Sequence, residues 1–287
     1  MSLMRIDALL LEAADALAHA GIDQPDLDAR LLLQYVTGLT RSQLMLQGGK
    51  LADEQTAAQY RRIIRQRAQR IPLQHLTGSQ EFWSLDFKVS PAVLIPRPET
   101  EFLIEQVFRT CADATITTAL DLCTGSGVIA VVLAKELGCS VVAVDISPAA
   151  LEIAAYNINR HKVADHIQLV CGDLLTAVHR GWPFDLLVSN PPYVAEEEID
   201  RLEPEVSRSE PRLALSGGPG GIQCLERIAA EAFMYLRPGG WVFVEIGADQ
   251  KDAVIRLFST TPPHYDQVRV INDWTGRPRV LEARRIP

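Results

Sequence analysis

The runs TTALDL (residues 117–122), CTGSG (123–127) and VIAVVLAKEL (128–137) read as a strand, a glycine turn and a helix, and the fold of the whole chain turns on them. The pattern continues with SVVAVD (140–145), PAALEIAAYNINRH (148–161), HIQLVCGD (166–173) and FDLLVSN (184–190), strand and helix in alternation. Strands separated by helices cross over and run parallel. After LRPGG (236–240) come WVFVEIG (241–247), VRVINDW (268–274) and RPRVLEARR (277–285), of which the last two are expected as an antiparallel edge. The expectation is an α/β domain built on a mostly parallel, seven-stranded sheet. We find no internal repeat and no low-complexity segment.

Working outward, the period changes upstream. Ile6, Leu9, Leu10, Ala13 and Leu17 recur at three- and four-residue spacings before Gly21, a helix stop. Pro25 suits a first helical turn, Gly38 ends that helix, and Asp53 opens a third long helical segment. The segment containing Arg61, Arg62, Arg65, Arg67 and Arg70 is locally basic, either a solvated helix face or a docking surface for an acidic partner. Between Gly78 and Pro98 the helical period gives way to short runs, Glu81 to Leu85 and Asp86 to Ser90, expected as a hairpin. The expected organisation is a helical domain over 1–75, a β-hairpin linker over 76–98 and the α/β domain over 99–287.

Composition narrows the function. Apolar residues make up 47% and charged residues 22% of the 287 residues, an ordinary globular mixture. The net charge of -8 supplies no global positive field for a polyanion, so bulk nucleic-acid binding is disfavoured. The 5 cysteines (Cys111, Cys123, Cys139, Cys171, Cys224) form no C-x-x-C pair, which points to a reduced, cytoplasmic chain. The longest strongly apolar run, Val128 to Ala134, is far short of a bilayer span, so no membrane anchor is expected. The 6 histidines (His19, His75, His161, His166, His179, His264) show no ligand spacing, and no metal is expected.

The first chemical signal is the turn itself. Cys123, Thr124, Gly125, Ser126 and Gly127 leave a strand and enter a helix, so backbone N–H groups can approach a ligand closely and the helix N-terminus adds partial positive charge. Asp145 ends the next strand, where a carboxylate can accept from both hydroxyls of a ribose. Asp173 ends the following strand and can accept from the exocyclic amine of an adenine, or serve simply as a turn or helix cap. NAD and S-adenosylmethionine both present such an adenosine. The G-x-G-x-x-G order that cradles a pyrophosphate is absent, which suits the methionine-bearing cofactor better.

The second signal is Asn190-Pro191-Pro192-Tyr193, directly after FDLLVS. Prolines lack N–H donors and fix φ, so Pro191 can present an unpaired carbonyl beside the Asn190 side-chain oxygen. Two acceptors converging on one point suit a planar NH2 with two hydrogens to donate, while Tyr193 covers its flat face. Asn190, Pro191 and Tyr193 are therefore the candidate catalytic residues, with Pro192 completing the substrate site. A strand-ending proline turn is the bland alternative.

NPPY resembles the mark of class I methyltransferases that modify planar nitrogens, shared by adenine-N6 DNA, guanine-N2 ribosomal RNA and glutamine-N5 protein enzymes. RIPLQHLTG (70–78), VLIPRPETE (93–101), EPRLALSGGPGGI (210–222), DWTGRPR (273–279) and the N-terminal AGIDQPDLDARLLL (20–33) look like the bacterial release factor glutamine methyltransferases. The resemblance spans nearly the whole chain. It implies a Rossmann-like class I methyltransferase domain behind a helical substrate-recognition domain, with S-adenosylmethionine as cofactor. The implied reaction methylates the side-chain amide nitrogen (N5) of the glutamine in the Gly-Gly-Gln loop of class I peptide chain release factors. By position, Cys123, Thr124, Gly125, Ser126, Gly127, Asp145 and Asn190 would hold the cofactor, Asp173 and Leu174 would border its adenine, and Asn190, Pro191, Pro192 and Tyr193 would hold the glutamine amide.

Cys123 stands where that family commonly has glycine, and Leu174 where an aromatic is often found. The CTGSG and VDISP wording also resembles the sister enzymes that methylate a glutamine of a large-subunit ribosomal protein, the second reading, and adenine-N6 DNA methylation ranks third. Arg97, Glu99 and Glu101 are expected either to shape the pocket or to form a plain ion-pair linker. Gly217, Gly218, Gly220 and Gly221 are expected as a loop near the cleft, or as a simple turn. The working unit is expected to be a monomer with a release factor as partner, and with neither DNA nor a membrane.

Overall fold

The computed structural model describes residues 4–181, 183–259 and 263–287, and its chain divides into two units. One runs to Ser79 and also takes in Glu203–Ser209; the other comprises Gln80–Leu202 and Glu210–Pro287.

The first unit is helical: α1 (Ile6–His19), α2 (Pro25–Thr37), α3 (Arg41–Gln47), α4 (Glu54–Ala68) and α5 (Leu73–Thr77). Leu9, Leu17, Leu32, Leu33 and Tyr60 fill its core. The Tyr60 hydroxyl donates to the Ala29 carbonyl at 2.9 Å, which satisfies the one polar atom that ring brings inside. The expected stops are realised: Gly38 caps α2 in the left-handed region at φ 69°, and the Asp53 side chain accepts from Thr56 N at 2.8 Å to start α4. α3 has too few residues to show a period, yet its capping box is written in Thr40 and Gln43, whose side chains exchange bonds with each other's backbone N–H.

The arginine-rich stretch divides. Arg61 pairs with Glu12 at 3.2 Å, and buried Arg67 bonds both Asp28 at 2.7 Å and Glu205 at 2.9 Å. Arg70 holds the other oxygen of Glu205 at 2.8 Å, so Glu205, in the short helix α9 (Pro204–Ser209), is shared by two guanidinium groups. Arg62 and Arg65 are exposed.

The second unit opens with a hairpin, β1 (Ser79–Phe82) and β2 (Leu85–Lys88). Its strands start earlier than expected, because Trp83 and Ser84 form a two-residue turn with both φ positive, 54° and 57°. Such a turn normally carries asparagine or glycine, and neither residue advertised it. The Glu101 carboxylate accepts from the Trp83 backbone N–H at 2.6 Å and holds the turn.

Then follow α6 (Pro98–Thr110), β3 (Thr118–Leu122), α7 (Val128–Leu137), β4 (Ser140–Asp145), α8 (Pro148–Arg160), β5 (Ile167–Cys171) and β6 (Phe184–Ser189). After α10 (Arg212–Leu215) and α11 (Gln223–Glu231) come β7 (Leu236–Glu245), α12 (Lys251–Phe258), β8 (Tyr265–Asn272) and β9 (Pro278–Arg285). The seven-stranded sheet has the order β5-β4-β3-β6-β7-β9-β8. β3 to β7 are parallel neighbours, and β9 lies antiparallel between β7 and β8. β7 begins at Leu236 rather than after the glycines, its register with β6 jumping between Phe184 and Leu186 so that RPGG is accommodated as an irregularity. Val131, Val132 and Leu133 of α7 are completely buried, which is why that helix reads as a continuous apolar run.

This order brings the C-terminal ends of β4, β3, β6 and β7 together. β3 and β6 are neighbours although a reversal of winding separates them, and a crevice opens at such a switch point.

Candidate active site

The crevice is walled strand by strand. Cys123–Ser126 follow β3, Asp145 ends β4 with Ile146 and Ser147 after it, Gly172–Leu174 follow β5, and Asn190 and Pro192 follow β6. Ala92–Leu94, Pro96 and Thr100 close one side, and Pro211, Leu213, Ala214, Ser216 and Cys224 another.

The glycine turn is held from below by Asp121, which is fully buried. Its Oδ2 accepts from the Thr124 hydroxyl at 2.6 Å and from Ala130 N at 3.2 Å, tying the turn to the first turn of α7. Its Oδ1 is buried without a hydrogen-bond partner among the described residues. Burial pushes the Asp121 carboxyl up to about 7. Gly125 and Gly127 have φ of 53° and 83°, and a Cβ on Gly127 would meet Ala154 of α8 at 3.2 Å. Cys123 has φ 60°, a left-handed conformation costing a side-chain-bearing residue on the order of 1 kcal/mol. The Asn157 side chain, completely buried in α8, donates to the Ser126 carbonyl at 2.8 Å and fastens the turn from the other side.

Asp145 stands across the turn from these groups. Its Oδ2 accepts from Gly125 N at 2.8 Å and its Oδ1 from Ser147 N at 2.9 Å, so each oxygen keeps a lone pair free for a ligand hydroxyl. Burial raises its pKa, against the backbone N–H groups of Ser147 and Gly125, which lower it. Asp173 is half-exposed and forms an ion pair with Arg227 of α11 at 2.8 Å. Leu174 is buried in the wall beside it with φ 52°.

At the other end of the crevice the Asn190 Nδ2 donates to the Thr100 hydroxyl at 3.0 Å. That hydroxyl donates onward to Glu245 Oε2 at 2.7 Å, and the Tyr193 hydroxyl donates to Glu245 Oε1 at 3.1 Å. Glu245 is 1% exposed, and burial pushes its carboxyl up to about 7. Burial and the neighbouring Glu245 also raise the Tyr193 phenol. With Nδ2 engaged, Oδ1 of Asn190 is the acceptor left for a ligand. The Pro191 carbonyl takes no hydrogen bond among the described residues.

Of the residues expected from the sequence, Cys123, Thr124, Gly125, Ser126, Asp145, Asp173, Leu174, Asn190 and Pro192 share this wall. Gly127, Pro191 and Tyr193 do not line it: Gly127 caps α7, Pro191 is buried, and the Tyr193 hydroxyl is anchored on Glu245. The charged residues of PRPETE also stand outside the wall. Arg97 pairs with buried Glu210 at 2.7 Å, and Glu101 serves the hairpin turn. Thr100 from the same motif does line it, and Glu245, which accepts from its hydroxyl, carried no motif; the two meet only once α6 packs beside the end of β7.

The SGGPGG loop lies directly behind NPPY. Val194 N donates to Leu215 O, Gly217 N to Val194 O and Glu196 N to Gly218 O, at 2.9, 2.9 and 3.1 Å. The Gln250 amide donates to both Tyr193 O at 2.9 Å and Gly221 O at 3.0 Å. A Cβ on Gly221 would sit 2.2 Å from Tyr193 O, at φ 72°. Gly221→Ala is therefore expected to destabilise the protein by about 2–4 kcal/mol and to reduce turnover by displacing the NPPY backbone. Chemical denaturation beside a methyl-transfer assay checks both.

The two buried carboxylates also set a pH dependence of stability. Asp121 and Glu245 titrate near 7, above their ordinary 3.8 and 4.5. A group whose pKa is raised by folding contributes stability that is complete below the unfolded pKa and is lost as pH rises through the folded one. The melting temperature is expected to fall between pH 6 and pH 8, by an amount corresponding to about 1–3 kcal/mol. Asp121→Asn should flatten that slope in scanning calorimetry; an unchanged slope would count against the buried-acid account.

Among the described residues no three His, Cys, Asp or Glu side chains converge to hold a metal ion. No helix among them is long and apolar enough to cross a membrane.

Two family models match the chain: "PrmC N-terminal domain" over residues 8–78 and "Methyltransferase small domain" over 98–214. A release factor glutamine methyltransferase from Moorella thermoacetica is 41% identical over 98% of this chain and 99% of its own length. One from Caulobacter vibrioides is 38% identical over 94% and 92%. Among solved structures, a methyltransferase from Pyrococcus furiosus superposes with a TM-score of 0.50 at 22% identity, covering 72% of this chain and 91% of that one, a likeness of fold.

Proposed function

We propose, from the premise that this chain belongs to the family of release factor glutamine methyltransferases, that it methylates the side-chain amide nitrogen of a glutamine in a peptide chain release factor. The glutamine is that of the Gly-Gly-Gln loop of class I release factors, and the helical unit serves to dock that partner. The observation that carries the reading is one crevice lined both by a half-buried carboxylate, Asp145, and by Asn190, whose Nδ2 is engaged by Thr100 so that Oδ1 is left as its acceptor.

S-adenosylmethionine, when bound, supplies an electrophilic methyl group on a positively charged sulfur. The residues present fit it: Asp145 and Asp173 line the crevice, Asp121 lies under its glycine turn, and the turn is held in place by Gly125 N on Asp145 and Gly127 N on the Thr124 carbonyl. Asp145 would hold the ribose hydroxyls, Leu174 would border the adenine, and Cys123 to Ser126 would line the cofactor, with Gly127 capping α7 behind them. Asn190 Oδ1 would receive one N–H of the glutamine amide, and the carbonyl of buried Pro191, which takes no hydrogen bond among the described residues, the other, fixing the plane of the amide. Asn190 is neutral and takes no proton; its contribution is orientation. Pro192, which lines the crevice, would flank that amide, with Tyr193 held behind it on Glu245.

The reaction belongs to the cytoplasm, where release factors act, with a monomer as the working unit. Incubation with methyl-labelled cofactor and, separately, release factor, a large-subunit ribosomal protein and DNA tests the reading. Label in the release factor alone, on the glutamine amide, is the expected result. Label confined to the ribosomal protein or to DNA overturns it.

A further inference from the structure

Asn190 can serve as an acceptor only if its amide stays in one of its two orientations, and the reason it does so lies two residues away in the hydrogen-bond chain. Glu245 ends β7, one residue beyond the Ser189–Val244 pair that joins β7 to β6, and so lies level with Asn190. Thr100 comes from the first turn of α6. Three elements therefore meet at one carboxylate that is 1% exposed.

A threonine hydroxyl has a single proton. Here it goes to Glu245 Oε2 at 2.7 Å, so towards Asn190 the hydroxyl can only accept, and at 3.0 Å it takes the Nδ2 proton. The Asn190 carbonyl oxygen is then the atom left over. A protonated Glu245 would itself donate to Thr100 and free the hydroxyl proton to turn towards Asn190. The amide would then reverse, and an NH2 group would face the NH2 group of the substrate, donor against donor.

We propose that Glu245 is a positioning residue that, through Thr100, fixes the orientation of the Asn190 amide and, through its bond to the Tyr193 hydroxyl, braces the far end of the same motif. The proposal rests on the reading that Asn190 receives the glutamine amide.

The charged and titratable groups around Glu245 agree with a switch in the neutral range. Burial is the largest influence and disfavours the carboxylate; the bonds from Thr100 and Tyr193 favour it, as does Arg279 of β9, and Glu99 of α6 opposes it. Arg279 is in turn held by Asp273 at 3.4 Å. With a pKa of about 7, ionisation takes place between pH 6 and 8.

The test compares full-length wild type with Glu245→Gln, Thr100→Val and Thr100→Ser in single-turnover methyl transfer to a release factor from pH 6 to 8.5. Melting temperature and calorimetric affinity for S-adenosylmethionine are measured alongside. The wild-type rate is expected to rise through a step near pH 7. Glu245→Gln and Thr100→Val should each lose that step and run about tenfold or more slower at pH 8, with cofactor affinity within about threefold of wild type. Thr100→Ser, which keeps the hydroxyl, should recover most of the rate and the step. A merely structural role would lower melting temperature and leave the pH profile in place. An intact step in folded Glu245→Gln, or equal impairment of Thr100→Ser and Thr100→Val, overturns the proposal. A wild type inactive on release factor at every pH instead removes the reading beneath it, and the proposal with it.

Discussion

Asn190→Ala is expected to lower the single-turnover rate of methyl transfer by about 10² or more while leaving S-adenosylmethionine affinity within about threefold. The substitution deletes the side-chain acceptor at one end of the crevice, yet Asp145 and its bonds to Gly125 N and Ser147 N, at 2.8 and 2.9 Å, are untouched. It also strands the Thr100 hydroxyl, which keeps its bond to Glu245 but loses the proton it accepts from Nδ2. Asn190→Asp is the sharper variant. It keeps the size and one acceptor, but sets a second oxygen against the Thr100 oxygen, whose proton is already committed to Glu245. The rate should fall at least as far as in Asn190→Ala. Ground-state cofactor binding should tighten, because the added charge attracts a sulfonium that becomes neutral on transfer. Near-wild-type rates in folded Asn190→Ala would sink the assigned role.

Asp145→Ala is expected to weaken S-adenosylmethionine binding ten- to a hundredfold, the range of about 1.5–3 kcal/mol for hydrogen bonds to a charged group. The loss should fall at the upper end, because both carboxylate oxygens also accept backbone N–H groups, one of them from Gly125 in the glycine turn. Asp145→Asn separates the two contributions: its amide retains one acceptor oxygen for the backbone but carries no charge, so an intermediate affinity is expected. Isothermal titration on protein of unchanged melting behaviour checks both, and wild-type affinity in Asp145→Ala would remove Asp145 from the cofactor site.

The strand and helix alternation from residue 117 onward was legible because each element is a contiguous run whose period reflects its own burial. The glycine turn, Asp145 and Asn190 were legible because each ends or directly follows such a run, and in a parallel sheet the strand C-termini share one edge. The backbone conformation at position 123 was not legible: Cys123 sits at φ 60°, a left-handed conformation that its own residue type does not signal. The hairpin turn at Trp83 and Ser84 was missed for the converse reason, since the side chains there disfavour the positive φ that both adopt.

The residue order alone thus determined the class of the fold, the edge of the sheet at which chemistry takes place, and the identity of the groups that end each strand. Tertiary structure decided what stands behind those groups. Thr100 and Asn190 are 90 positions apart, and Thr100 and Glu245 are 145 apart. Their meeting depends on α6 passing the ends of β6 and β7, which no local period encodes. The same holds for Gly221 against the Tyr193 carbonyl, and for Glu205, which leaves its sequence neighbours to join Arg67 and Arg70 in the helical unit. Hydrophobic periodicity reports which face of an element is buried, whereas a buried polar contact depends on which partner the sheet order brings opposite, and that is settled only when the whole chain packs.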